Sequence, residues 1–234
     1  MTTESAPVIT IDGPSGAGKG TVAQRIANSF GFSLLDSGAL YRLTALAVIR
    51  NGVDSQNPQA VAEAAADMAV WFESVPEQGV RTFLNGTDVS YELRQESTAG
   101  LASELASLAP LRQQLLTLQR DFRRPPGLVA DGRDMGTVVF PDAELKIYLT
   151  ASAECRAERR LKQLNEKGVD ATLGSLLEEI RQRDERDSGR SVAPLKPAAD
   201  AIVLDSTAMT IDEVCLHVTQ AAEQRDIHSA LNPA

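Results

Sequence analysis

The sequence predicts an α/β protein: a parallel five-stranded sheet flanked by helices, with a small inserted antiparallel lobe and a helical lid. Three observations carry that prediction. Short Val-, Ile- and Leu-rich runs at residues 8–11, 34–35, 128–130, 145–149 and 201–204 mostly lack polar alternation, as strands buried on both faces do. Helical patterns lie between them: Val22, Ile26 and Phe30 follow the first run, and Leu105, Leu108, Leu111, Leu115 and Leu118 precede the third. Such alternation implies a parallel sheet covered by helices. The pattern breaks at residues 70–74, 80–84 and 87–89, which read as an antiparallel meander because Asn85-Gly86 supplies the positive φ angles of a tight hairpin turn.

A chain of 234 residues holds one domain with a full hydrophobic core and spare length for appendages. The expected division is one domain, 1–234, with a core of about 1–50, 101–151 and 191–227, an inserted lobe of about 51–100 and a lid of about 152–190. The lid is the Arg-rich pair of helical patterns at 153–166 and 173–186, joined by Lys167-Gly168-Val169-Asp170. The last ten or so residues read as a frayed end.

Composition excludes several classes. Hydrophobic residues at 43% and charged residues at 24% are ordinary for a folded soluble chain. No apolar run approaches the roughly 18 residues that span a bilayer, and residues 1–7 lack a signal-type start. A cytoplasmic protein without membrane attachment is expected. Cys155 and Cys215 stand without a CxxC, which suits thiols in a reducing compartment. His217 and His228 lie outside any ligand spacing, so no metal held by the protein alone is expected. A net charge of −9 opposes wrapping polymeric nucleic acid, which needs a basic surface. Arginines nevertheless cluster at Arg156, Arg159 and Arg160 and at Arg181, Arg183, Arg186 and Arg190, which leaves a small anionic ligand open. With no leftover apolar stripe, a monomer is expected.

The first strand runs into Gly13-Pro14-Ser15-Gly16-Ala17-Gly18-Lys19-Gly20-Thr21, and an amphipathic helix follows. The glycines let successive N–H groups turn inward, the helix N-terminus adds partial positive charge, and Lys19 reaches the outer phosphates of a nucleotide. This makes the sheet one of the P-loop NTPase type. Gly20 occupies the position where G-x-x-x-x-G-K-[ST] has a hydroxyl, with Thr21 next, so Mg²⁺ is expected to rest on water and substrate, near Thr21.

Other strand ends carry the second half of a site, since ligands in such sheets bind at the carboxyl ends of strands. Asp36-Ser37-Gly38-Ala39-Leu40-Tyr41-Arg42 follows the second run; Ser37 is placed to cap a helix that carries Tyr41 and Arg42. Asp131-Gly132-Arg133-Asp134-Met135-Gly136-Thr137 follows the third. Arg183, Asp187 and Arg190 fall at i, i+4 and i+7, one helical face, a spacing that ordinary surface ion pairs also produce. Arg156 and Arg160, at i and i+4, repel mildly unless an anion sits nearby.

With these motifs in hand, the chain resembles the bacterial cytidylate kinases over nearly all of its length. The inserted meander and the stretch 131–143 are the most specific points of likeness. Adenylate kinases would show an Asp-Gly-Phe-Pro-Arg type of run at the third strand end, and this chain does not. The resemblance implies transfer of a phosphoryl group from ATP, with Mg²⁺, to CMP and dCMP. It implies that Ser103, Arg112 and Asp134 face the cytosine, Arg183 and Asp187 the ribose, and Tyr41, Arg42, Arg133 and Arg190 the acceptor phosphate. Ser37, Asp131 and Gly132 complete the acceptor side. Lid arginines, Arg160 among them, go to the donor nucleotide, while Lys19, Arg133 and Arg190 act in catalysis.

The residue types make chemical sense apart from the resemblance. Cytosine offers an amino donor at N4 that a carboxylate such as Asp134 accepts, whereas uracil opposes O4 to the same charge. A phosphate acceptor, with a second pKa near ~6, is already a nucleophile at neutral pH and needs no general base. A hydroxyl acceptor would favour a carboxylate base, for which Asp36 is available. Kinases for UMP, GMP or shikimate, or a nucleotide-dependent switch without catalysis, stay open on the motifs alone.

Overall fold

In the computed structural model, residues 6–75, 79–166 and 168–231 are described. The signal-free start read from residues 1–7 therefore lies largely outside them, as do Lys167 of the lid connection and residues 232–234 of the chain end. The chain divides into two compact units, Met1–Asp36 with Arg120–Ala234, and Ser37–Gln119.

In the first unit, β1 (Val8–Asp12), β2 (Ser33–Asp36), β6 (Leu128–Gly132), β7 (Leu145–Thr150) and β8 (Ile202–Asp205) form one sheet in the order β2-β6-β1-β7-β8. Every neighbouring pair is parallel. β1, β6 and β7 are buried on both faces as their apolar runs require, whereas the edge strands β2 and β8 are only partly covered, against the expectation of two-sided burial for all five runs. On one face Ile9, Ile11, Ile147 and Leu149 pack with Val22, Ile26 and Phe30 of α1 (Lys19–Phe30) and Val214 and Val218 of α8 (Ile211–Glu223). The other face is polar toward the strand ends. Thr10 is opposite Ala130 and Lys146, and Asp12 is opposite Gly132 and Tyr148. β8 is an edge strand, and Val203 at 54% exposure shows that its outer side is uncovered. The two Arg-rich helical patterns form α6 (Ala153–Asn165) and α7 (Leu173–Ser188), started by Ser152 and Thr172, whose hydroxyls accept from Cys155 and Ser175 N–H.

The second unit contains α2 (Ser37–Asn51), α3 (Pro58–Ala66), α4 (Glu96–Leu105) and α5 (Ala109–Arg120). With them is the antiparallel sheet of β3 (Val70–Val75), β4 (Gly79–Leu84) and β5 (Thr87–Asp88). Asn85 and Gly86 both have positive φ, 49° and 84°, as the two-residue turn between β4 and β5 requires. The single leucine pattern from Leu105 to Leu118 proves to be two helices. Pro110 has no N–H to donate and its ring would clash one turn back, so it opens α5 instead of extending α4. Among the described residues no helix is long and apolar enough to cross a membrane.

Candidate active site

The loop between β1 and α1 is shaped by close approach. At Gly13 a Cβ would lie 1.9 Å from the Leu149 carbonyl oxygen, so only glycine lets the chain leave β1 against β7. Gly16 and Gly18 adopt φ of 79° and 92°, and α1 starts at Gly18 with no side-chain cap. Helix-end amides without a side-chain partner, beside a loop of alternating hand, are the elements from which phosphate cradles are built.

Lys19 is buried, and its Nζ donates to the Pro14 carbonyl at 2.9 Å and lies 3.9 Å from Asp131 Oδ1. Burial, with Arg133 and Arg183 adding to it, brings its ammonium down to about 8, while Asp131 and Asp12 oppose the shift. Lys19 of the loop and Arg133 and Arg183 therefore sit within electrostatic reach of each other in one unit. Gly20 faces the same carboxylate, since a Cβ there would lie 3.4 Å from Asp131 Oδ2; Thr21 is exposed on α1.

Residues beyond β6 do not form the capped surface turn that a Gly-rich loop usually makes. Met135–Val139 is a π-helical turn, pressed on the polar face of the sheet. Asp12 accepts from the N–H groups of Met135 and Gly136, both at 2.8 Å. Burial nevertheless pushes the Asp12 carboxyl up to about 7, with the charge of Asp134 adding to the push and Lys19 opposing it. Tyr148 stands beside this group; burial first, then Asp12 and Asp184, raise its hydroxyl, and Arg133 and Arg156 pull the other way.

Asp187 is the anion of the arginine cluster. It is 1% exposed, accepts from Arg133 Nε at 3.0 Å, and pairs with Arg190. Burial alone would raise its carboxyl, but Arg133, Arg190 and Arg183 together hold it below its ordinary value. The expected common helical face is corrected in one respect. α7 stops at Ser188 and Gly189 closes it, so Arg190 lies past the helix and reaches back to Asp187 from there.

Arg156 also departs from expectation. The anion that relieves its spacing with Arg160 is Asp184, gripped through both guanidinium nitrogens at 3.1 and 2.5 Å. The same side chain donates to Ser15 O and Ala151 O, each at 3.0 Å, so it joins the phosphate loop to α6 and, through Asp184, to α7. Arg159 is bound to Ser206, Arg181 to Glu154, and Arg160 is half-buried on α6.

In the second unit, Ser37 is the first residue of α2, not the residue before it, and its hydroxyl donates to Gln119 Oε1 at 2.7 Å. Tyr41 is buried with the Arg112 guanidinium 6.0 Å over its ring, and Arg112 also donates to the Ala106 carbonyl at 3.1 Å. Arg42 is half-buried and makes no hydrogen bond or ion pair among the described residues. Ser103 Oγ is buried without a hydrogen-bond partner among them, an arrangement that normally costs about 1–3 kcal/mol.

A sequence profile described as "Cytidylate kinase" matches residues 9–224. Cytidylate kinase from Aeromonas salmonicida is 55% identical over 95% of this chain and 96% of its own. The chain belongs to the cytidylate kinase family. Cytidylate kinase from Pseudomonas syringae pv. tomato is 57% identical over 95% of this chain and 97% of its own. A solved structure, an uncharacterized protein from Eubacterium ventriosum, superposes with a TM-score of 0.51 at 11% identity, covering 93% of this chain and 98% of that one; this speaks for the fold alone.

For this cytidylate kinase family member, the motifs brought together in the first unit are the phosphate loop, Asp131, Gly132, Arg133, Asp134, Arg183, Asp187 and Arg190. Those in the second unit are Ser37, Tyr41, Arg42, Ser103 and Arg112. No role for Asp12, for Arg156 paired with Asp184, or for Gln119 was legible in the residues' spacing. Asp12 carried a signal, being the last strand residue before the loop. The other partnerships span 28 and 82 positions and leave no trace in local spacing.

Proposed function

We propose that this cytidylate kinase family member transfers the γ-phosphoryl group of ATP to CMP and dCMP, giving ADP with CDP or dCDP. The convergence of Arg133, Arg183 and Arg190 about the buried Asp187 carboxylate, with Arg133 and Arg183 also within electrostatic reach of Lys19, carries this reading. Phosphoryl transfer asks for alignment and charge stabilisation more than covalent work by the protein. The loop residues Gly13 to Thr21 bind the donor phosphates, and Arg160 assists from the lid. Arg133, Arg190, Tyr41 and Arg42 bind the acceptor phosphate, and Lys19, Arg133 and Arg190 neutralise charge as it passes. Arg183 and Asp187 orient the ribose, while Ser103, Arg112 and Asp134 read the base; the orphaned hydroxyl of Ser103 supports a ligand partner there. No general base is required, because a dianionic phosphate attacks directly.

Among the described residues no group of three or more His, Cys, Asp or Glu is built to hold a metal ion. Mg²⁺ comes with ATP, an arrangement suited to an ion that keeps its waters and phosphate ligands. Asp131, beside Gly20 and Lys19, would hold it directly or through water, and the ion would neutralise charge on the β- and γ-phosphates. α6 and α7 close over the bound nucleotides and exclude water. The enzyme works as a monomer in the cytoplasm.

The test is a coupled ADP-release assay across CMP, dCMP, UMP, GMP, AMP and shikimate, run on the wild type and on Asp134→Asn. CMP and dCMP are expected to give the highest kcat/KM. The amide variant narrows the CMP:UMP ratio by on the order of tenfold or more, because the carboxylate no longer opposes uracil O4. An unchanged ratio removes Asp134 from base selection, and turnover with none of the six acceptors removes the function.

The lowered value of Lys19 gives a second expected result. ATP is fully ionised at pH 8, so its phosphates raise the lysine back toward its ordinary value of 10.5 from about 8. Binding at pH 8 then takes up protons, and calorimetric heats depend on the ionisation enthalpy of the buffer. Lys19→Met abolishes that dependence.

A further inference from the structure

We propose that Asp12 is a positioning residue for the phosphoryl acceptor: it locks the turn that follows Arg133 and Asp134 onto the strand that feeds the phosphate loop. The inference rests on the acceptor reading above and extends it to a side chain that has no place in the ligand contacts.

Asp12 is the last residue of β1, directly before Gly13, and is 5% exposed. Each of its oxygens takes one amide from the π-helical turn, Met135 on Oδ1 and Gly136 on Oδ2. One carboxylate thus satisfies two of the donors that a helical turn leaves without intrahelical partners at its start. The turn is also clamped by shape. A Cβ at Gly136 would lie 2.9 Å from Thr10 Oγ1 and 3.2 Å from the Lys146 side chain, so the backbone rests on the sheet with no side chain between. At Gly132 a Cβ would meet Met135 at 2.8 Å, which fixes where the chain leaves β6. Arg133 and Asp134 are the two residues between these fixed points. Asp134 is the residue at the head of the π turn, and its carbonyl accepts from Val138 N–H at 2.9 Å.

Such a clamp does more than stabilise the fold. In-line transfer tolerates little misplacement, and small displacements of positioning groups cost large factors in rate. The carboxylate ties donor loop and acceptor turn through one residue, so a slackened clamp displaces Arg133 and Asp134 while the loop, shaped by its own glycines and Leu149, stays in place.

Two variants test this. Asp12→Asn keeps the size but sets an NH₂ against one amide donor; Gly136→Ala lifts the turn from the Thr10 side and leaves Asp12 intact. Initial rates with each nucleotide varied in turn, together with circular dichroism, separate the outcomes. Loss of one hydrogen bond to the carboxylate in Asp12→Asn, and displacement of the turn by the added methyl in Gly136→Ala, are each expected to raise KM for CMP on the order of tenfold, with KM for ATP held within about twofold. Arg133→Ala, measured alongside, should raise the CMP KM further. If it does not, or if the wild type fails to turn over CMP, the acceptor reading is at fault. If Arg133→Ala behaves as expected but Asp12→Asn and Gly136→Ala move both KM values equally or move neither, the positioning role is overturned. Failure of both variants to fold overturns it as well, since the contact is then a structural one.

Discussion

Replacing Lys19 by Met is expected to lower kcat by on the order of 10³-fold while leaving thermal stability at or above that of the wild type. The two effects separate because they come from different states of the same side chain. In the unliganded fold the ammonium is buried, and its lowered value means that the folded state disfavours the charge. Because the unfolded chain holds this proton more tightly, Lys19 costs stability at neutral pH, and the cost is relieved as pH rises from about 8 toward 10.5. Met fills the same volume with no charge to desolvate. On the proposed mechanism, however, the ammonium faces the charge of the transferring γ-phosphoryl group during the reaction, where a fixed cation acts strongly. Thermal melts and single-turnover rates check both halves. A variant that loses stability along with activity would show the lysine to be a structural element.

Asp187→Asn is expected to destabilise the fold by about 3 kcal/mol and to slow turnover by at least ~10²-fold. Asp187 is buried against Arg133 and Arg190, with Arg183 also within reach, and removing its charge leaves these cations facing one another. Since the carboxyl is held below its ordinary 3.8, its contribution is present at neutral pH and lost only as pH falls below that value. Added CMP should restore more stability to the variant than to the wild type, because a bound phosphate supplies the missing anion. Urea unfolding with and without CMP makes the measurement. Equal stability of variant and wild type would place the arginines in solvent instead of around a buried carboxylate.

Much of this was legible in the residues themselves. The phosphate loop announced itself because its glycines answer local demands, Gly16 and Gly18 taking positive φ, whereas the passage of Gly13 against Leu149 is a tertiary demand that only the fold shows. β1, β6 and β7 were readable because burial on both faces removes polar alternation, the half-covered edge strands β2 and β8 only from their apolar residues, and the meander because Asn85-Gly86 fixes one turn type. What stayed hidden depends on tertiary contact. Arg156 showed only a spacing with Arg160 that calls for a nearby anion, and that anion, Asp184, lies 28 positions on in sequence. Asp12 looked like one more strand end, since only the fold brings the Met135 and Gly136 amides to it. Nothing in the leucine spacing marked the break between α4 and α5 except Pro110, and periodicity outvoted it.

The central claim is that one site takes ATP and CMP with their phosphates meeting, and a linked inhibitor tests it most directly. Cytidine and adenosine joined 5′ to 5′ through five phosphates should bind by calorimetry with one molecule per chain. It should bind at least ~10²-fold more tightly than ATP or CMP alone, because the second nucleotide then binds at the effective concentration set by the tether. Binding no tighter than ATP, or two molecules per chain, would contradict the account.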